Sequence, residues 1–194
     1  MHRRAAWQAV VALVLSGVAT AEAHTGVGVT HALDAGLTHP LMGIDHLLAT
    51  IAIGLWASHL GGRERWSIPS TFLLCLVLGA GLALAGAGLP LVEFGLVSSI
   101  VLLGLLLVTD LRVSTMAAMT AVGLLALYRG FAHGAEAALD SGAAAYGTGF
   151  LVSTMLLLGV GALGGSMMQR LTNALVPRYA GAALAILGTL AALS

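Results

Sequence analysis

Residues 68–88 read IPSTFLLCLVLGAGLALAGAG, without one Asp, Glu, Lys, Arg or His. As a helix the stretch reaches across a hydrocarbon core of ~30 Å, which takes about 20 apolar residues. Working outward, residues 41–60, 91–109, 113–133, 146–166 and 179–193 read the same way, which predicts an all-α polytopic membrane bundle of six transmembrane helices. Composition excludes a soluble domain, since 59% of the 194 residues are hydrophobic and 8% are charged, where soluble domains carry roughly 25% charge. Glycine contributes 26 residues, as membrane helices tolerate. Small residues four apart, at Gly161 and Gly165 and at Ala85 and Leu89 with Gly86 and Gly88 alongside, predict close helix packing.

The charges narrow the function. All eight basic residues are arginine and balance eight acidic ones, so there is no basic surface for nucleic acid. Cys75 has no partner for a disulfide or thiolate cluster within one chain. Metal chemistry must therefore use histidine and carboxylate. A Walker-type glycine loop is missing from the sequence, so ATP is not its direct energy source. Homo-oligomerisation is left open.

Residues 1–23 carry Arg3 and Arg4, an apolar stretch over 5–18, and Ala21-Glu22-Ala23. This is the pattern of a secretory signal peptide cleaved after Ala23. A single membrane domain, residues 24–194, would remain. The loops after the first, third and fifth spans hold Arg63 and Arg65, Arg112, and Arg170 and Arg178, while the opposite side has only Arg129. The positive-inside bias places these loops in the cytoplasm of a bacterial inner-membrane protein, with both mature termini periplasmic.

Ionisable groups inside a membrane cost ~2.5–3.5 kcal/mol even on the lenient insertion scale, so each is a functional candidate. His39-Pro40-Leu41-Met42-Gly43-Ile44-Asp45-His46 opens the first mature span. In a continuous helix His39 and His46 would share a face about 10 Å apart along the axis, too far for one ion bound at ~2 Å. Either the helix breaks or a partner intervenes. Pro40 suits a first helical position and Gly43 an irregular turn. At the end of the fourth span, His133 and Glu136 are three apart and share a helical face. Topology puts both groups at the outer level, so the two spans are expected to pack together, with Asp45 or His46 approaching His133.

His24, His31, His39, His46 and His133 all fall on the outer side and only His59 on the inner. Imidazole with carboxylate and no thiolate suits Ni, Co, Zn or Cu(II) better than Mg or Ca. Glu93, at the outer start of the third span, is a further capture candidate, as are His31 and His24, whose free α-amine after cleavage would sit beside its own imidazole. Arg129 is expected to snorkel or to pair with Glu136 or Asp140.

The segment His39-Pro40-Leu41-Met42-Gly43-Ile44-Asp45-His46-Leu47-Leu48-Ala49, followed by Gly54-Leu55-Trp56-Ala57, resembles the HPxxGxDHxLA…VGLWA signature of the HupE/UreJ family of hydrogenase and urease accessory membrane proteins. Ala132-His133-Gly134-Ala135-Glu136 is similar to that family's AHGxE motif. The chain departs from the pattern at Arg129 and Phe131, where members often carry histidine, and at Ala137 and Ala138, where they carry proline. The resemblance implies secondary uptake of Ni2+, or Co2+, for hydrogenase or urease maturation, with the ion as cargo and no permanently bound cofactor. It implies metal contacts at His39, Asp45, His46, His133 and Glu136, and no enzyme activity. Two other classes fit the residues alone: an intramembrane metal-dependent hydrolase, and a haem protein ligated by His46 and His133.

Overall fold

The computed structural model describes residues 29–109, 113–137 and 142–171. The expected signal over 1–23, His24 and the expected span over 179–193 lie outside the described residues. Those residues form six helices and no strand: α1 (Val29–Met42), α2 (Ile44–Leu60), α3 (Glu64–Leu84), α4 (Val92–Thr109), α5 (Thr115–Ala137) and α6 (Ala143–Leu171). Within α3, α5 and α6, the segments Glu64–Leu84, Thr115–Glu136 and Ala143–Gln169 are long and apolar enough to cross a membrane. α1 and α2 pass that test only together, as a pair bent by 72°, and α4 contributes a shorter apolar stretch, Val92–Leu106.

Helix ends follow local chemistry. Gly61, at φ 75°, and Gly62, at φ 51°, take the left-handed turn that closes α2, a conformation that costs a residue with a Cβ. α3 ends with Gly86 at φ 75°, where the Gly86 N–H donates to the Ala83 carbonyl and the Ala87 N–H to the Leu82 carbonyl. This is the double closure that satisfies the last carbonyls of a helix. Gly86 therefore makes a turn; the Ala85–Leu89 spacing does not mark a packed helix face, and a Cβ at Gly86 or Gly88 would meet nothing within 4 Å. Ser114 caps α5 by accepting from the Ala117 N–H at 3.3 Å.

Two parallel pairs build the bundle. α3 lies along α5, where Gly79 meets Leu127, Gly130 meets Leu76, and Gly134 meets Ala80, each so closely that a Cβ would collide with backbone. The Thr115 hydroxyl donates to the Glu64 carboxylate and ties the two N-termini. α2 lies along α6 in the same manner, with Gly161 against Ile51 and Leu55, Gly54 against Leu158, and Gly165 against Leu55 and Ser58. The Gly161 and Gly165 spacing thus does what close packing in lipid requires. α6 continues past α2 along α1, where Gly36 meets Tyr146 and Gly149 meets Leu33 and Leu37. Between the pairs sits an apolar core that includes Ile53, Trp56, Ile68, Phe72, Val122 and Leu158. Leu74, Val77, Leu78 and Leu82 of α3, and Leu156, Val160 and Leu163 of α6, are exposed, which is the face a lipid-embedded bundle offers to hydrocarbon.

One end of the bundle carries exposed Arg63 and Arg65, the latter with its guanidinium 6.0 Å from the Trp66 ring centroid. The other end gathers His39, His46 and His133.

Candidate metal centre

The first motif is carried across a break. α1 runs to Met42, Gly43 is extended at φ −81° and ψ 101°, and α2 begins at Ile44. The break anticipated around Gly43 is present, but Pro40 does not start a helix: it is buried inside the last turn of α1. The stretch before the first span is itself helical from Val29. Its buried positions, Gly36 and Pro40, are four apart and face α6.

The break and a partner both act. His133, near the end of α5, sits between the two histidines of the first motif, with ring centroids 4.8 Å from His39 and 5.4 Å from His46. Phe150 of α6 packs against all three rings, at 5.9, 4.9 and 4.6 Å from His39, His46 and His133. Tyr146, one turn earlier, lies 5.8 Å from His39.

His39, His133 and Glu136 each offer one ligand atom, and these atoms lie within 4.8 Å of one another. Donors on opposite sides of one ion stand about 4.2 Å apart at most, so the three atoms must draw slightly closer to hold one. The Glu136 carboxylate is 3.5 Å from His133 Nδ1, yet the geometry leaves that buried nitrogen without a hydrogen bond. A buried ring nitrogen in this state is costly unless something else takes it up. An apolar crevice of about 310 Å³, bordered by Leu76, Ala80, Gly130, Tyr146 and Phe150, opens beside His133.

His46 is 1% exposed and held at both ring nitrogens. Arg129 Nη1 stands 3.5 Å from Nδ1, and Thr154 Oγ1 stands 3.4 Å from Nε2. Arg129 is also 1% exposed, so it does not snorkel to the surface as expected from its sequence position.

The remaining candidates are placed differently. Asp45 lies in the first turn of α2, and its side chain is outside the described residues, as is Asp140. His31 is exposed on α1, and Glu93 is exposed in the first turn of α4; neither joins a group of three ligand atoms among the described residues. Contrary to the expected packing of the two motif-bearing spans, α2 and α5 share almost no backbone contact. Their histidine rings meet because each helix is fixed to another partner, α2 to α6 and α5 to α3. Reading the sequence missed Tyr146, Phe150 and Thr154, although their four-residue spacing puts them on one stripe of α6.

Comparison with family models matches residues 11–191 to the family described as HupE / UreJ protein. The chain is 39% identical over 179 residues to Protein HupE of Rhizobium leguminosarum bv. viciae, covering 91% of each chain. No solved structure matches it.

Proposed function

The chain belongs to the HupE/UreJ family, and from that premise we propose that it is a secondary transporter that brings Ni2+, with Co2+ as the alternative cargo, across the bacterial inner membrane for hydrogenase or urease maturation. The observation that carries the reading is the meeting of His39, His133 and Glu136 at one end of the bundle, with ligand atoms within 4.8 Å of one another. Two imidazoles and a carboxylate form a borderline donor set that suits these ions. Asp45, next to His46, adds a carboxylate in the same motif. In this reading the histidine end faces the periplasm, both mature termini share that side, and the arginine end faces the cytoplasm.

Past the histidines the core is apolar, with Ile53, Trp56, Phe72 and Val122 packed together. In this reading the packed core closes the release side while the histidine end receives the ion. A membrane potential supplies ~2.3 kcal/mol per charge per 100 mV, hence roughly 4.6 kcal/mol for a divalent ion, enough for about a thousandfold accumulation at ~1.4 kcal/mol per tenfold. Transport then needs no ATP.

The test is uptake of radioactive Ni2+ by cells expressing the chain, against Asp45→Asn and His39→Ala variants present at equal levels, with Co2+, Zn2+ and Cu2+ as competitors. Uptake above the empty-vector level, abolished in both variants and competed best by Co2+, is expected. Uptake equal in wild type and variants would overturn the proposal.

A further inference from the structure

His46 is held unlike the other histidines of the cluster, and we propose that this divides the site in two: His39, His133 and Glu136 receive the ion first, while Arg129 and Thr154 keep His46 out of that first coordination shell until Arg129 moves aside. The inference rests on the metal-uptake reading above and assigns Arg129 the part of a gate.

A guanidinium has donors only. Where Arg129 Nη1 faces His46 Nδ1 at 3.5 Å, the Nδ1 lone pair is directed at the guanidinium and is closed to a metal. The proton of the neutral ring then sits on Nε2 and is directed at Thr154 Oγ1, 3.4 Å away. His46 therefore presents no lone pair to the cluster, although its ring centroid is 5.4 Å from that of His133. The ligand set that does converge, His39, His133 and Glu136, leaves His46 out.

Arg129 precedes His133 by four residues on α5, one turn deeper and on the same face. Along this face a cation meets the Glu136 carboxylate, then the His133 imidazole, then a guanidinium that offers donors only and no lone pair. One turn past His46 on α2, Thr50 is completely buried with its Oγ1 unpartnered. An oxygen donor without a hydrogen bond beside a latched imidazole is what a second station for the ion would contain. Beyond it lies the apolar core, so Arg129 stands at the floor of the polar pocket and bars the route to it. Displacing Arg129 would free Nδ1 of His46 for the ion.

The experiment is X-ray absorption at the metal edge of purified full-length protein loaded with Co2+ alone, counting coordinated imidazoles. Two imidazoles are expected in wild type and in Arg129→Lys, and three in Arg129→Gln, falling back to two in Arg129→Gln combined with His46→Ala. His46→Ala alone is expected to keep two imidazoles while losing uptake. Three imidazoles in wild type, or an unchanged count in folded Arg129→Gln, would overturn the gate and leave the uptake reading standing. If Arg129→Gln does not fold, His46→Ala decides by itself, because a lost imidazole there places His46 in the first shell and refutes the proposal. A wild type that binds no Co2+ would overturn the uptake reading and the gate with it.

Discussion

The second motif rides on one unbroken helix, whereas the first straddles a break. In α5 the helical repeat alone puts His133 and Glu136 on one face, and their contact at 3.5 Å is local. In α1 and α2 nothing local brings His39 and His46 toward one point. Their positions depend on a bend of 72° and on α6, which packs against both helices. One half of the site is written in sequence neighbours and the other in tertiary contacts, so the two halves should fail differently when packing is disturbed.

The largest expected effect comes from Gly36→Val, which puts a branched side chain where a Cβ already collides with the Tyr146 carbonyl. It should cost about 1–3 kcal/mol of stability as overpacking does. Because it levers His39 away from His133, it should weaken Ni2+ binding beyond the ~10–100-fold typical of outer-shell changes. Thermal unfolding and Ni2+ titration of the purified protein measure both. Gly134→Ala is the matched disturbance of the second motif, since its Cβ would lie 2.6 Å from the Ala80 Cα. Stability should fall by a similar ~1–3 kcal/mol, but binding only about tenfold, the low end of the outer-shell range, because His133 and Glu136 move together. If the binding losses of the two variants are equal, the contrast between the halves is wrong.

A smaller effect is expected from Glu136→Gln, which keeps an oxygen donor and removes a charge from a side chain 64% exposed. Ni2+ affinity should fall roughly tenfold, about 1.4 kcal/mol, because the amide oxygen still donates while the charge is lost, with stability unchanged. The smallest is Gly43→Ala. The break has φ −81° and ψ 101°, a conformation open to any residue, so stability should stay within about 0.5 kcal/mol and the absorption spectrum of bound Co2+ should not change. A large loss there would mean that the break needs glycine itself.

The same contrast explains what could be read from the sequence. Apolar runs and the three-residue spacing of His133 and Glu136 depend on residues close in the chain, and α3, α5 and α6 were legible from them. That either a break or a partner must join His39 and His46 follows from helix geometry alone. Pro40 sits in a last turn and not a first because α1 precedes it, and the Gly36 and Pro40 stripe that buries α1 offers too little apolar side chain to stand out as a span. Arg129 is expected to snorkel or to pair with Glu136 or Asp140, partners near it in the chain, yet it is buried against His46 of another helix. Phe150 and Thr154 went unnoticed because an aromatic and a hydroxyl in an apolar run announce nothing until a neighbouring helix gives them partners.

The central claim is that residues from the two motifs hold a single ion. Ni2+ titration of purified full-length wild type, His39→Ala, His133→Ala and the double variant tests it most directly, because residues sharing one site are non-additive. The account predicts one tight ion per wild-type chain, a severe loss in each single variant, and a double variant scarcely weaker than either. Losses that add in full, or a wild type that binds no Ni2+, would contradict it.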